Sequence, residues 1–462
     1  AQRWREMLTQ NNLQGVIGEF VGSIEQPEAF ASAIPAPFSR SIWEEVNAAA
    51  EEYNAPGEFT ALIGYEWTSM IDGRNLHRNV VFRDGPAKTL QHAPFPSIRG
   101  RNPEQLWAAL QDYVDTTDGS VMAIPHNGNL SDGLMFAEAQ GNGEPITTAY
   151  ARLRARWEPV YEMTQVKGDA ESHPLLSPQD PFADFENWDE TNIAMEPRSP
   201  EDMQRTLAGE YARPVLKTGL KIGREVGSNP FKFGMIGSTD AHTSLATADS
   251  DNYFGKFPDS EPSVERLSSN MGGALWPNRN LAASGYAAVW ARDNTRAEIF
   301  DALNRKEVYA TTGPRIGVRF FGGWNLPGNL HSAADAIARS YTLAVPMGGD
   351  LAAPPTGATG PDFVIIAGKD PLGAGLDRVQ VIKGWLDSDG RPQEKIYDVA
   401  WSGERTPDPD TGMIPPLAST VDPAQATYDK DSGAASLSTV WRDPDFESGQ
   451  PAFYYVRVLE IS

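Results

Sequence analysis

The chain has 462 residues, 40% of them hydrophobic and 22% charged, which is typical of a globular protein with about two or three domains. Its 39 basic and 62 acidic residues give a formal net charge of −23, and a field of that sign argues against nucleic acid as a partner. The absence of cysteine excludes disulfides, thiolate metal sites and cysteine nucleophiles.

The beginning of the chain, AQRWREMLTQNN, reads as the inside of a polar helix and not as a signal peptide. We therefore expect a fragment or a processed form. No apolar run approaches the roughly 20 residues of a membrane helix, so no transmembrane segment is predicted. The oligomeric state is left open.

Up to about residue 315, apolar runs and helical patterns alternate. The runs that suit buried strands are FTALIGYEW (59–67), SVMAIPH (120–126), VYEMTQV (160–166) and FGMIGSTD (233–240). The helical patterns are SIWEEVNAAAEEYN (41–54), with a Ser cap, NPEQLWAALQDYVDTT (102–117) and NTRAEIFDALNRK (294–306). This alternation predicts an α/β fold of parallel βα units, as an open sheet or a barrel, with catalytic groups at the carboxyl ends of the strands.

Two long segments, 127–159 and 168–232, are predicted to be rich in loops, which often serve as lids or binding loops. After TTGPR (311–315) the texture changes, and short runs alternate apolar and polar residues between Gly, Pro and Asp clusters. This pattern predicts a first domain over residues 1–315 and a C-terminal antiparallel β-sandwich over residues 316–462.

Asp240 and His242 end the apolar run FGMIGSTDAHT. In an extended segment, residues two apart point the same way, so the carboxylate and the imidazole could reach one metal ion. The alternative is an Asx turn with a histidine in solvent.

His126 also ends a predicted strand, and the proline before it restrains the backbone and helps to aim the ring. The alternative is a structural histidine. Glu66 lies in the apolar run LIGYEWTSM, where a carboxylate is costly unless it is paired or bound to metal. An outward-facing position in an alternating strand is the other reading of Glu66.

His77 lies between Arg74 and Arg78 in GRNLHRN. Two arginines beside an imidazole could hold an oxyanion through charge-assisted hydrogen bonds, although basic loops are common. Together the candidate imidazoles and carboxylates suit zinc, manganese or iron, and such ions activate water and clamp phosphoryl oxygens. The sequence contains no G-x-S-x-G elbow and no phosphate-binding or dinucleotide-binding glycine loop.

Several long blocks resemble the domain of unknown function 3604 family, and the resemblance spans nearly the whole chain. They are IGYEWTSM, LHRNVVFRDG, AIPHNGNLSDGLMF, NPFKFGMIGSTDAHT, KEVYATTGPR and DRVQVIKGW. That family resembles the PHP (polymerase and histidinol phosphatase) superfamily of metal-dependent phosphoesterases. The resemblance implies a distorted, seven-stranded βα barrel with two or three metal ions, and a periplasmic or secreted protein.

Carried over by residue, GYEW implies that Glu66 bridges metals, STDAH implies Asp240 and His242, and AIPH implies His126 as ligands. His77 completes the predicted set. The H-x-H strand and the aspartate–histidine pair that open superfamily members are not present in this sequence. We therefore expect the first barrel strand to be missing, with ligands supplied from elsewhere or lost.

The resulting prediction is a hydrolase that cuts a small anionic phosphate ester with metal-activated water. Arg74 or Arg78 would steady the anion, and His126 or His242 would orient water or the leaving group. The alternatives are a sulfate-ester hydrolase using the same centre and a non-catalytic binding protein with a degenerate metal site.

Overall fold

The structure is a computed structural model that describes residues 2–10, 12, 15–16, 18–19, 22, 36–249, 252–257, 260–270, 276–281 and 285–461. The chain divides into two compact units. The first comprises Ala1–Val215 and Val226–Thr312, and the second comprises Leu216–Glu225 and Gly313–Ser462.

The helices of the described residues are α1 (Gln2–Thr9), α2 (Ala36–Tyr53), α3 (Pro86–Thr89), α4 (Pro103–Thr117), α5 (Thr148–Trp157), α6 (Pro200–Thr206), α7 (Ala212–Val226), α8 (Arg296–Arg305) and α9 (Ala336–Leu343). The strands of the first unit are β1 (Ile63–Trp67), β2 (Met70–Ile71), β3 (Arg74–Asn75), β4 (Arg78–Phe82), β5 (Val121–Pro125), β6 (Val160–Gln165), β7 (Gly168–Asp169), β8 (Gly234–Gly237), β9 (Ala248–Asp249), β10 (Asn252–Tyr253), β11 (Tyr286–Val289) and β12 (Val308–Thr311). The strands of the second unit are β13 (Gly317–Gly323), β14 (Val345–Pro346), β15 (Asp362–Gly368), β16 (Leu376–Leu386), β17 (Pro392–Trp401), β18 (Ser436–Arg442) and β19 (Ala452–Glu460).

Two three-stranded sheets carry the predicted strand ends of the first unit. In one sheet β4 lies between β1 and β5 and is antiparallel to both. In the other, β6 lies between β7 and β8 and is parallel to β8. An isolated parallel bridge between His126 and Glu162 connects the end of β5 with β6.

The core of this unit explains why these apolar runs become strands. Met122, Ile124, Val160 and Ile236 from β5, β6 and β8 form one buried cluster with side chains of α8. Helix α8 begins after Thr295, whose side chain accepts a hydrogen bond from the backbone N–H of Glu298 and so satisfies a free donor of the first turn. The buried face of the helix, with Phe300 and Leu303, packs against the strands.

The predicted α/β class is confirmed, but the strand directions differ from the expected parallel βα pattern. Residues 78–82 form a strand that the sequence analysis did not predict. The chain reverses between β2 and β3 at Asp72 and Gly73, which both have positive φ and form the tight turn that an Asp-Gly pair favours. This reversal makes β4 antiparallel to its neighbours, and the strands of the described residues form small separate sheets without closing a barrel.

Some predicted boundaries also need correction. Helix α2 begins at Ala36, so Ser41 lies inside the helix, where its hydroxyl donates to the carbonyl of Phe38 and does not cap the helix. The segment 168–232, predicted to be loop-rich, contains α6 and α7. Ser199 caps α6 by accepting a hydrogen bond from the backbone N–H of Asp202.

The second unit is rich in antiparallel strands. One sheet has the order β14-β13-β15-β18, and the other has the order β17-β16-β19. Phe320, Phe363 and Leu437 from the first sheet share a buried cluster with Val379 and Val381 from the second. The alternation predicted after residue 315 therefore corresponds to a β-rich C-terminal region.

Among the residues that the structure describes, none of the helices has the length and apolar character needed to cross a membrane.

Candidate metal centre

Three strand ends of one sheet bring Glu66, His77 and His126 together. Glu66 lies in β1, His77 directly precedes β4, and His126 directly follows β5. Glu66 of β1 is paired with Asn79 of β4, which lies two residues after His77. Arg78, the residue directly after His77, is paired with Pro125, the residue directly before His126. Since residues two apart on a strand share a face, this register places the three side chains on one side of the sheet.

The distances within this cluster are short. One carboxylate oxygen of Glu66, Oε1, lies 2.9 Å from Nδ1 of His77 and 3.2 Å from Nε2 of His126. The imidazole rings meet edge to face, with centroids 5.6 Å apart. Ligand atoms of all three residues lie within 4.8 Å of one another, and no other group of three His, Asp or Glu in the described part of the chain does so. We call these three residues the Glu66 cluster.

The protonation states of the Glu66 cluster suit a divalent cation. The Glu66 side chain is 38% exposed, and its partial burial raises its pKa, but the hydrogen bonds from His126 and His77 outweigh this effect and lower the pKa far below its usual value. Burial lowers the pKa of His77, although its bond to Glu66 opposes this. An ionised carboxylate with a neutral imidazole is the form in which these groups bind metals.

The ring nitrogens that converge on Oε1 of Glu66, Nδ1 of His77 and Nε2 of His126, are the atoms that would bind an ion at this position. The other nitrogen of each ring, Nε2 of His77 and Nδ1 of His126, is buried without a hydrogen-bond partner among the described residues and does not face this position. One carboxylate and two imidazoles form a mixed N/O donor set of the kind that zinc, manganese and iron accept. The residues present therefore fit a divalent ion.

Asp240 and His242 lie next to each other after β8, but they are not part of this three-residue group. Asp240 has a positive φ of 52°, a conformation that aspartate tolerates better than most residues. Its Oδ1 lies 3.2 Å from Nε2 of His242, and its Oδ2 contacts the amino groups of Lys167 and Lys256. The predicted pair is formed, but both of its carboxylate oxygens already have partners in the protein.

His242 is the most exposed of the predicted imidazoles, with 47% of its side chain accessible. Partial burial, together with the charges of Lys256 and Lys167, lowers its pKa to about 4. Glu66 and His126 also influence this pKa, so the charges of the Glu66 cluster reach His242. At neutral pH its ring is therefore uncharged and has a nitrogen lone pair.

Three charged residues of this region, Glu162, Lys167 and Lys256, were not predicted from the sequence. Lys167 directly follows the predicted strand 160–166, a strand-end position that could have drawn attention to it. Glu162 is a carboxylate within an apolar run, the same signal that identified Glu66, and it accepts hydrogen bonds from Ser238 at 2.7 Å and Gln165 at 3.1 Å. Lys256 has no such signal, because its segment has no periodic pattern.

The two lysines are both buried, and each is 5% exposed. Burial and the nearby charge of Lys256 lower the pKa of Lys167 well below its ordinary value. Burial lowers the pKa of Lys256 to about 8, against the opposing charges of Glu66 and Glu162. The charges of Glu66 and Glu162 therefore act on both amino groups.

The prediction that Arg78 steadies an anion is wrong. The side chain of Arg78 has 0% exposure, and its Nε lies 3.0 Å from Oε1 of Glu158, which is also buried. Its Nη1 donates to the carbonyl of Leu76 at 2.5 Å. As the first residue of β4, Arg78 points into the core, so the guanidinium stabilises the fold and does not face a substrate.

Arg74 differs from Arg78 in exposure. Its side chain is 41% exposed, and its ion pairs with the described residues are long, at 3.8 Å with Asp132 and 3.9 Å with Asp72. The next residue, Asn75, donates from its side-chain amide to the carbonyls of His126 and Asn127. This contact fixes the backbone beside Arg74 against the loop that follows β5, so Arg74 keeps its place as a candidate anion-binding residue.

Comparison with known proteins adds one finding. No curated protein and no solved structure matches the chain. All of it, residues 1–462, matches the family described as "Protein of unknown function (DUF3604)", and the chain belongs to that family.

Proposed function

We propose that this protein is a metal-dependent hydrolase of phosphate esters. The observation that carries the proposal is the Glu66 cluster, in which Nδ1 of His77 and Nε2 of His126 converge on Oε1 of Glu66 at 2.9 and 3.2 Å. A carboxylate and two imidazoles on adjacent strand ends hold a divalent ion with little rearrangement. Zinc, manganese and iron are the candidate ions.

A divalent ion bound there lowers the pKa of a water molecule and polarises the ester, which is the chemistry that the side chains alone do not supply. The residues of the chain then have separate tasks. Glu66, His77 and His126 hold the ion, and this role replaces the predicted role of His126 in orienting water. Arg74, with its exposed guanidinium, binds the negative charge of the ester.

His242 supplies a proton acceptor. Its imidazole is partly exposed and uncharged at neutral pH, and its contact with Asp240 fixes one ring nitrogen. A neutral imidazole in this position takes a proton from the attacking water and later gives that proton to the leaving oxygen. Lys256 holds Asp240 in place through its hydrogen bond to the Asp240 carbonyl at 3.0 Å.

The proposal is tested by measuring hydrolysis of p-nitrophenyl phosphate and bis-(p-nitrophenyl) phosphate with zinc, manganese or iron added to the chelated protein. Glu66→Gln should lower kcat/KM by about 100-fold or more, since loss of the ion removes several kcal/mol of charge stabilisation at about 1.4 kcal/mol per tenfold. The matched control is His331→Ala, which removes an imidazole that is bonded to Ser438 in the second unit. Turnover that persists in Glu66→Gln, or that chelator does not affect, would exclude the proposed centre.

A sulfate ester is the nearest alternative substrate, because it presents a similar tetrahedral oxyanion to the same residues. Faster turnover of p-nitrophenyl sulfate than of either phosphate at the same centre would favour it. Ion binding without turnover of any of these esters would favour a non-catalytic binding protein.

The PHP-like barrel belongs to this proposal as well. The parallel pairing of β6 with β8 and the parallel bridge between His126 and Glu162 support it, because parallel strand ends that meet at one edge are the setting of a barrel active site. The resemblance of the sequence to the domain of unknown function 3604 family is the basis for proposing a periplasmic or secreted location.

A further inference from the structure

Lys167 and Lys256 approach the same carboxylate oxygen, Oδ2 of Asp240. Lys256 also donates to the Asp240 backbone carbonyl at 3.0 Å. Both lysines are 5% exposed, and 15% of the Asp240 side chain is accessible. Amino groups that are this buried do not leave a carboxylate without losing their main partner, because water cannot replace it.

The backbone holds this arrangement in place. The N–H of His242 donates to the carbonyl of Lys256 at 2.9 Å, so the loop after β8 and the segment that carries Lys256 are joined beside Asp240. The backbone N–H of Lys167 donates to the side-chain oxygen of Gln165 at 3.0 Å. The backbone of each lysine is therefore held by a hydrogen bond of its own, to His242 for Lys256 and to Gln165 for Lys167.

Glu162, another buried carboxylate of this region, is also satisfied by the protein. Its Oε1 accepts from Gln165 at 3.1 Å and its Oε2 accepts from Ser238 at 2.7 Å. Neither Glu162 nor Asp240 joins the Glu66 cluster as a second carboxylate and fourth ligand at close range. Centres with two metals place the ions about 3.5–4 Å apart and need ligands for both.

We infer that the amino groups of Lys167 and Lys256 occupy the position at Asp240 where a second metal cation would bind, so that the centre holds one divalent ion. This inference rests on the proposed function and changes its metal stoichiometry, because the sequence implied two or three ions. A second ion at Asp240 would have to displace two buried amino groups from the carboxylate, and these groups would lose their main partner. The centre thus consists of one ion at the Glu66 cluster beside a lysine-bound aspartate.

Metal content decides the question without any activity assay. The chelated full chain is reloaded with Mn²⁺, and bound ions per chain are counted by native mass spectrometry and by electron paramagnetic resonance. We expect one ion per chain with the six-line signal of isolated Mn²⁺. Asp240→Asn should keep this ion, and Glu66→Gln should lose it.

The lysines are tested directly with the double variant Lys167→Met, Lys256→Met, which retains side-chain length but removes both amino groups. Oδ2 of Asp240 then loses both lysine partners, and the count should rise from one ion to two. Lys88→Met is the matched control, since Lys88 forms a lysine–aspartate pair with Asp84 at 3.5 Å, and it should leave the count at one.

Two ions in the unmodified chain, one of which is lost in Asp240→Asn, would overturn this inference and leave the proposed hydrolase intact. A folded double-lysine variant that still binds one ion would overturn it too. No tightly bound ion in the unmodified chain would overturn the metal centre itself and this inference with it. If the double variant does not fold, the unmodified chain and Asp240→Asn decide the result.

Discussion

Arg78→Met removes a fully buried guanidinium and leaves its partner, the Glu158 carboxylate, at 3% side-chain exposure. Breaking one side of a buried ion pair costs about 3–5 kcal/mol, because the other charge stays buried without its partner. Glu158 keeps contacts with Trp107 at 3.0 Å and Arg154 at 3.2 Å, so we expect a loss near 3 kcal/mol, the lower end of that range. Methionine fills much of the space, which keeps the cavity contribution small.

The assay is urea unfolding followed by tryptophan fluorescence, with Arg74→Met as the control. Arg74 is 41% exposed and its ion pairs are long, so its removal should change the free energy of unfolding by less than about 0.5 kcal/mol. Arg78→Met, Glu158→Gln together should recover part of the stability that Arg78→Met loses. A folded Arg78→Met protein with normal stability and impaired ester turnover would refute the structural role of Arg78 and restore its predicted role at the substrate.

Three further outcomes follow from the structure. Burial raises the pKa of Glu210 from 4.5 to about 7. Between pH 4.5 and about pH 7, Glu210 therefore keeps a proton in the folded chain that it has released in the unfolded chain. Stability should therefore fall as the pH rises from 4.5 to about 7, by up to about 3 kcal/mol at about 1.4 kcal/mol per pH unit. Glu210→Gln should flatten this part of the urea-midpoint profile, and an unchanged profile would contradict the prediction. Thr295→Ala removes the cap of α8 and should cost about 1 kcal/mol of unfolding free energy, while Thr295→Ser should cost less. A saturating divalent ion at about 100 times its Kd should stabilise the unmodified chain by about 2.7 kcal/mol in thermal unfolding but leave Glu66→Gln unaffected, and equal shifts in both would be inconsistent with the Glu66 cluster.

The sequence predicted the cluster because its residues lie at the ends of apolar strands. The runs that end near Glu66 and His126 became β1 and β5, and both side chains lie where strand ends collect polar groups. His77 was found only through its basic neighbours. Its place in the cluster depends on β4, a strand whose register with β1 and β5 the sequence analysis did not predict.

The same missed strand explains the error at Arg78. The run RNVVF alternates between buried and half-buried positions, and its first residue faces inward. Read as a basic loop, GRNLHRN offered two equivalent arginines, whereas in the strand Arg74 and Arg78 have 41% and 0% side-chain exposure. Sequence spacing alone does not reveal this difference, because it depends on pairing with distant strands.

The lysine partners of Asp240 are another feature that was not predicted from the sequence. The position of Asp240 after an apolar strand was predicted from the sequence, but its partners come from residues that are 73 and 16 positions away. Lys167 directly follows a predicted strand and could have been included. Lys256 comes from a segment with no periodic pattern, so only the folded chain brings it to Asp240.

The most direct test of the metal centre is a crystal of the zinc-loaded protein with anomalous diffraction recorded at the zinc edge. The account predicts a peak bonded to Glu66, His77 and His126, at about 2.0–2.2 Å from one oxygen and two nitrogens. A zinc-loaded crystal whose anomalous map has no peak among these three side chains would contradict it.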